Sequence, residues 1–297
     1  MSHITSMIRS DALHCERVVR RHARTFTLAS YFLPVRKRRA SFALYCLGRA
    51  AADIVESTGD DRKAAARKLL AWRRELVEAL DGRPRGPVLR EVRWAVREFE
   101  IPPSLLFDYL DAVSLVFSPA QFEAWSALER HCDAIASSVG AMCSYVIGIP
   151  GGAEQEANAL AYARTLGIAM QLTSILRDVG SNSRSGRCYI PAEELERFSL
   201  KREEVLDPDI GRDPRWHRLM TFEIGRARAL YEKALPGIAM LSPDSQKCAA
   251  ACAIGYAAIL DALENIRYDS LSSRASVGTL ARLGVLWDAW RFKSRAS

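Results

Sequence analysis

Apolar residues recur along this chain at steps of three and four over most of its length. That period lines them up on one face of an α-helix. Strict alternation bounded by hairpin turns, the mark of a half-buried strand, is nearly absent. Prolines fall mostly where the pattern lapses, at Pro34, Pro84, Pro87, Pro102, Pro103, Pro119, Pro150, Pro191, Pro208, Pro214 and Pro243. Proline has no amide hydrogen and disfavours helix in the residue before it, so it marks helix edges. The pattern predicts helices over 8–30, 36–57, 62–80, 86–99, 103–117, 121–147, 153–182, 212–239 and 244–267, and a last one over 275–293. No linker divides the chain and no solenoid-length repeat occurs. The expectation is one all-α domain over residues 1–297, with its helices around a central cavity.

Two of these helices carry polar groups on an otherwise apolar surface. In the first, Arg49, Asp53 and Glu56 are spaced by four and three and share a face. In the second, Ser174, Asp178 and Asn182 are spaced by four and form a ladder, with Gln171 just before it and Arg177 beside Asp178. A polar ladder is ordinarily a solvated face. The rest of the second helix is rich in Leu and Ile (Leu166, Ile168, Leu172, Ile175, Leu176), which also admits a polar cavity. Spacing alone leaves both readings open.

Composition narrows the function classes only a little. Hydrophobic residues make up 49% of 297 and charged residues 26%, enough for a sizeable core. The net charge of +7 suits nucleic acid, a membrane surface, an anionic substrate or simply an Arg-rich exterior. The basic run Arg36–Arg39 is short, and no zinc-finger, RNP-like or basic-zipper pattern accompanies it, which argues against nucleic acid. Seven scattered cysteines without a Cys-x-x-Cys pair read as buried thiols of a reducing compartment. Met1 to Glu16 holds no apolar signal core, and the weakly polar run Ala134 to Pro150 is short for a membrane span. The expectation is a cytoplasmic protein with no integral membrane segment. No G-x-G-x-x-G nucleotide fingerprint is present.

The segment Leu166-Gly167-Ile168-Ala169-Met170-Gln171-Leu172-Thr173-Ser174-Ile175-Leu176-Arg177-Asp178-Val179 is followed by Gly186-Arg187-Cys188-Tyr189-Ile190-Pro191. Together they resemble the second signature of the squalene/phytoene synthase family. Arg24-Thr25-Phe26 with Phe32-Leu33-Pro34 resembles its N-terminal segment, and Leu44 through Glu56 its first aspartate-rich helix. His131-Cys132 with Ser138-Val139-Gly140, and Tyr256 with Ile259-Leu260, resemble its middle and C-terminal helices. The resemblance spans roughly residues 15–290. It implies the all-α isoprenoid synthase fold, with two acidic helices facing each other across the mouth of a deep central cavity. It also implies an allylic prenyl diphosphate as donor, Mg²⁺ as cofactor, and ionisation of the diphosphate by Mg²⁺ and arginines.

The residue roles that follow are those the resemblance implies. Asp178, Asp53 and Glu56 are both catalytic and metal ligands, with Ser174 and Asn182 as further ligands. Arg49, Arg177 and Arg187 contact the diphosphate; of these Arg177, beside Asp178 and pointing to a different face, is the one most suited to a structural role. Gln171 orients a bound water or the acceptor. Tyr45, Tyr189 and Tyr256 line the cavity, Tyr189 also at the catalytic centre. Thr25 and His22 lie in the segment that closes over diphosphate. His131 stands where the family has tyrosine, either as a base that restores a prenylated ring or as a buried histidine.

The motifs also depart from the family. Ala52 replaces the first aspartate of Arg-x-x-Asp-Asp-x-x-Asp and Glu56 the last. Ser174 replaces asparagine, Asn182 replaces an acid, Ser181 stands where a neighbouring acid is usual, and Val116-Phe117 replaces Asp-Leu. A dead site, a divergent head-to-head synthase and a repurposed enzyme are the three readings. The thinned acids favour the third: one donor ionised, and the prenyl group passed to a carbon of a small aromatic acceptor such as a carbazole-type ring.

Overall fold

The computed structural model describes residues 2–58, 61–114 and 121–292. Among the described residues none forms a strand, and fourteen α-helices follow one another. They are α1 (Ser2–His22), α2 (Arg24–Ser30), α3 (Val35–Thr58), α4 (Arg62–Leu80), α5 (Gly86–Glu98), α6 (Pro103–Ser114) and α7 (Trp125–Ile147). There follow α8 (Ala153–Arg177), α9 (Val179–Arg184), α10 (Ala192–Arg197), α11 (Arg202–Val205), α12 (Pro214–Ala234), α13 (Pro243–Asn265) and α14 (Thr279–Arg291).

The segments read as 36–57, 62–80, 86–99 and 244–267 recur to within two residues at each end. The others differ for local reasons. The helix expected over 8–30 breaks at Ala23, whose backbone (φ −137°, ψ 65°) leaves the helical region. Residues 121–124 are not helical, because the carbonyls of Phe122 and Glu123 accept the amides of Ala192 and Glu193. Glu193 then caps α7, its carboxylate accepting the Trp125 amide at 2.5 Å. The helix expected over 153–182 breaks at Asp178. The stretch after α9, where the pattern predicts no helix, holds α10, α11 and a 3₁₀ turn over Pro208–Arg212. The end of the segment read as 103–117, with the Val116-Phe117 exchange, lies outside the described residues.

The two largest of four apolar clusters among the described residues hold most of the buried side chains. One packs α7, α8, α12 and α13 around Trp216, Leu172, Leu176, Leu219 and Met220. The other joins α3 to α7 around Leu47, Leu76, Leu89 and Leu106. Each such fully buried side chain stabilises the fold by about 1.5–3 kcal/mol. The helices α7 and α8 approach closely at Gly167, where a Cβ would lie 2.5 Å from that of Ala136. Cys143 on α7 and Tyr256 on α13 are half-buried.

Helix α13 is long and apolar enough to cross a membrane, but it packs between α2, α8 and α14 as a core helix. All seven cysteines are free, and five are buried.

One buried cluster makes stability depend on pH. Glu223 on α12 is fully buried and accepts two hydrogen bonds from Arg226, at 2.8 and 2.9 Å. The same guanidinium also serves buried Glu194. Burial raises the Glu223 carboxyl from 4.5 to about 7, although Arg226 opposes it. Between those two values the unfolded chain ionises this group while the folded chain keeps its proton. Its contribution therefore falls as pH rises through that window and is level above it. Glu223→Gln should remove that fall. Thermal unfolding followed by circular dichroism from pH 5 to pH 8 would show it, and identical slopes for both proteins would refute the assignment.

Candidate active site

Helix α3 brings the first acidic set together as its spacing requires. Arg49 donates from Nε to Asp53 at 2.7 Å and from Nη2 to Glu56 at 2.6 Å. The arginine side chain is 18% exposed and the two acids 56% and 68%. A mostly covered cation thus pairs with two exposed carboxylates. Burial works against the Arg49 charge, but both carboxylates outweigh it and raise its pKa. One turn earlier Tyr45 stacks on Phe26, with ring centres 5.9 Å apart. Burial, with Tyr256 nearby, pushes the Tyr45 phenol up to about 12.

The second set is built at the helix break. Asp178 has φ −102° and ψ 17°, and its amide still donates to Ser174. Residues adjacent in a regular helix do not face each other. Because Asp178 leaves the helix, the Arg177 side chain reaches it, with Nε and Nη2 at 3.0 and 2.6 Å from the two carboxylate oxygens. Arg177 was expected to point to a different face, and the break is why it does not. A second guanidinium arrives from the loop between α13 and α14. Arg274 Nε donates to Asp178 Oδ1 at 2.7 Å. Burial pushes the Asp178 carboxyl up, but the two arginines outweigh it and hold it below its ordinary value.

That loop is anchored at several points. Arg267 and Tyr268 adopt left-handed backbone (φ 52° and 62°) and turn the chain back after α13. The Trp216 indole donates to the Tyr268 carbonyl at 3.0 Å, and the Gly180 amide to the Ser270 carbonyl at 3.1 Å. Arg274 went unnoticed in the sequence because nothing local distinguishes it; it lies in a serine-rich stretch 96 residues from its partner.

Tyr256, half-buried on α13, lies within electrostatic reach of Tyr45, Arg177, Asp178 and Arg274. Gln171 and Ser174 are half-buried on α8. Asn182, on α9 beyond the break, joins Arg187 and Tyr189 in the lining of a small pocket with Ile175 and Val205. Thr25 lies over Gly255 of α13, where an added Cβ would meet its methyl group. His22 is exposed at the last residue of α1.

His131 packs against Phe122 and Tyr189, at ring-centre distances of 5.2 and 5.9 Å. Burial lowers its pKa, which keeps it neutral. His131→Phe preserves the ring packing and removes both nitrogens. Its kcat should fall less than about tenfold, against the ~10²–10⁴ lost with a general base. A larger loss in a steady-state assay would restore the base role.

The squalene/phytoene synthase family model matches residues 19–281. The chain belongs to that family. It is 31% identical over 283 residues to a 15-cis-phytoene synthase of Synechocystis sp., covering 93% of this chain and 83% of that one. It is 34% identical over 271 residues to a phytoene synthase of Thermus thermophilus, covering 91% and 89%. A crystal structure of a dehydrosqualene synthase in complex with ligand superposes with a TM-score of 0.84 at 26% identity, covering 96% of both chains.

These relatives correct one expectation. An aromatic acceptor was inferred from the thinned acids, but the similar squalene/phytoene synthase family proteins are phytoene and dehydrosqualene synthases. The error lay in treating a count of carboxylates as a measure of the nucleophile. Glutamate at position 56 keeps its charge, and Ser174 and Asn182 keep an oxygen donor.

The family binds diphosphate through a divalent metal, Mg²⁺. The residues present fit that ion. The donors are hard oxygens, and Asp53 and Glu56 already converge on one cation, the Arg49 guanidinium. No group of three or more His, Cys, Asp or Glu gathers for a metal among the described residues. Mg²⁺ needs none, since it is commonly held by one or two carboxylates together with substrate phosphates.

Proposed function

We propose that this protein joins two prenyl diphosphates head to head and releases an unreduced hydrocarbon of the phytoene or dehydrosqualene type. The observation that carries the reading is the presence of two acid–arginine sets, Arg49 with Asp53 and Glu56 on α3 and Arg177 and Arg274 with Asp178 at the α8–α9 break. The phytoene synthases that match nine-tenths of the chain support it.

In this reading the C1–O bond of one donor breaks and its electron pair leaves with the diphosphate. The double bond of the second molecule supplies the pair for the new C–C bond, and a proton leaves. Ionisation of the second diphosphate and loss of a second proton complete the reaction. Two prenyl diphosphates give one hydrocarbon, two diphosphates and two protons, so no reductant is needed. The departing diphosphate accepts the protons.

Bound Mg²⁺ supplies positive charge at the leaving oxygens; Asp53, Glu56 and Asp178, with Ser174 and Asn182, would hold it. Arg49, Arg177, Arg187 and Arg274 bind and orient diphosphate oxygens through charge-assisted hydrogen bonds. Tyr45, Tyr256 and Phe26 present aromatic surface to the cation and exclude water. The test is incubation with Mg²⁺ and geranyl, farnesyl or geranylgeranyl diphosphate, with no acceptor added. A symmetrical hydrocarbon with two diphosphates released per molecule is expected. Diphosphate release without hydrocarbon, or no turnover, would overturn the reading.

A further inference from the structure

Helix α14 is apolar on both sides. Val285 and Ala289 face inward and are buried. Leu280, Leu283, Trp287 and Trp290, at steps of three, four and three, form one stripe on the outer side. They are 85%, 58%, 58% and 57% exposed. The buried face already uses Val285 and Ala289, so the outer stripe is a second apolar face left at the surface, and a contiguous apolar patch on a surface marks a docking site.

We propose that the outer face of α14 docks the protein on an anionic lipid bilayer. Charge selects this occupant. Lys247 of α13 lies over the Trp290 ring at 5.9 Å, and Arg291 over Trp287 at 6.0 Å. The one acid on the helix, Asp288, sits to the flank of the stripe. The two tryptophan rings stack, with centres 5.5 Å apart. Tryptophan settles at the membrane–water boundary, and flanking cations meet anionic headgroups. A second copy on a two-fold axis would set this cationic rim against its own like. A bilayer also offers a sink for a hydrocarbon product; that point alone rests on the function proposed above.

The experiment is flotation of the full chain with vesicles and without substrate, so its outcome is independent of the reaction. The vesicles are phosphatidylcholine alone, or phosphatidylcholine and phosphatidylglycerol in equal parts. The wild type should float with the anionic vesicles, less with the neutral ones, and less again on adding salt. A variant carrying Leu283→Ser, Trp287→Ser and Trp290→Ser should lose binding at least about tenfold, with its melting midpoint unchanged because these side chains are exposed. A wild type that stays in the buffer, or a triple variant that floats equally, would overturn the proposal. So would a wild-type dimer that the triple variant splits and that binds no vesicle.

Discussion

Asp178→Ala should lower kcat for diphosphate release by roughly a hundred- to a thousandfold, the cost of removing one preorganised electrostatic group from a site that handles developing charge. Asp178 is the carboxylate on which Arg177 and Arg274 both converge. Its loss removes a negative charge and also leaves two guanidiniums uncompensated. Arg177 is mostly covered, so the alanine variant should lose stability as well. Arg274 is 69% exposed and is readily resolvated, which limits that loss. Asp178→Asn separates the two effects. It keeps size and hydrogen-bonding oxygen but not charge, so it should melt closer to the wild type and be nearly as inactive as alanine. The pH dependence supplies a second readout. The folded Asp178 carboxyl lies below its ordinary 3.8, so its contribution is present above that value and lost as pH falls below it. Neither variant should show that acid-side loss. An Asp178→Asn enzyme within tenfold of wild-type kcat would remove this residue from the reaction.

How far the site could be read from the chain follows from where each contact lies. Arg49, Asp53 and Glu56 sit on an unbroken helix, so helical spacing alone was enough to bring them together. Ser174, Asp178 and Asn182 have the same regular spacing but are not one ladder. The Gly180 amide bonds to Ser270, and that tertiary bond accompanies the break at Asp178. Nothing near Gly180 in the sequence announces a partner 90 positions away. Arg274 is invisible for the same reason. The acceptor was misread through chemistry rather than geometry. Ala52 and Asn182 in place of acids thin a ligand set, yet magnesium draws part of its coordination from the substrate itself. A shorter list of carboxylates therefore says little about which carbon attacks.

Gly180→Ala should show how much the site depends on that tertiary contact. A Cβ at Gly180 would lie 2.4 Å from the Leu271 carbonyl oxygen, 2.7 Å from that of Ser270 and 2.8 Å from the Leu271 Cα. All three are backbone atoms, so no side chain can swing away to make room. Either the loop retreats or the α8–α9 break opens, and such overpacking costs about 1–3 kcal/mol. A retreat also stretches the Gly180–Ser270 hydrogen bond and carries Arg274, four residues further on, off Asp178. The variant should therefore melt several degrees lower and reproduce the catalytic defect of Arg274→Ala, whose own melting point should barely move. The double variant decides the route. If Gly180 acts through Arg274, the two losses of kcat do not add, and the pair resembles Gly180→Ala alone. Additive losses would mean that the methyl group harms the site by another path, such as displacement of Asp178 itself.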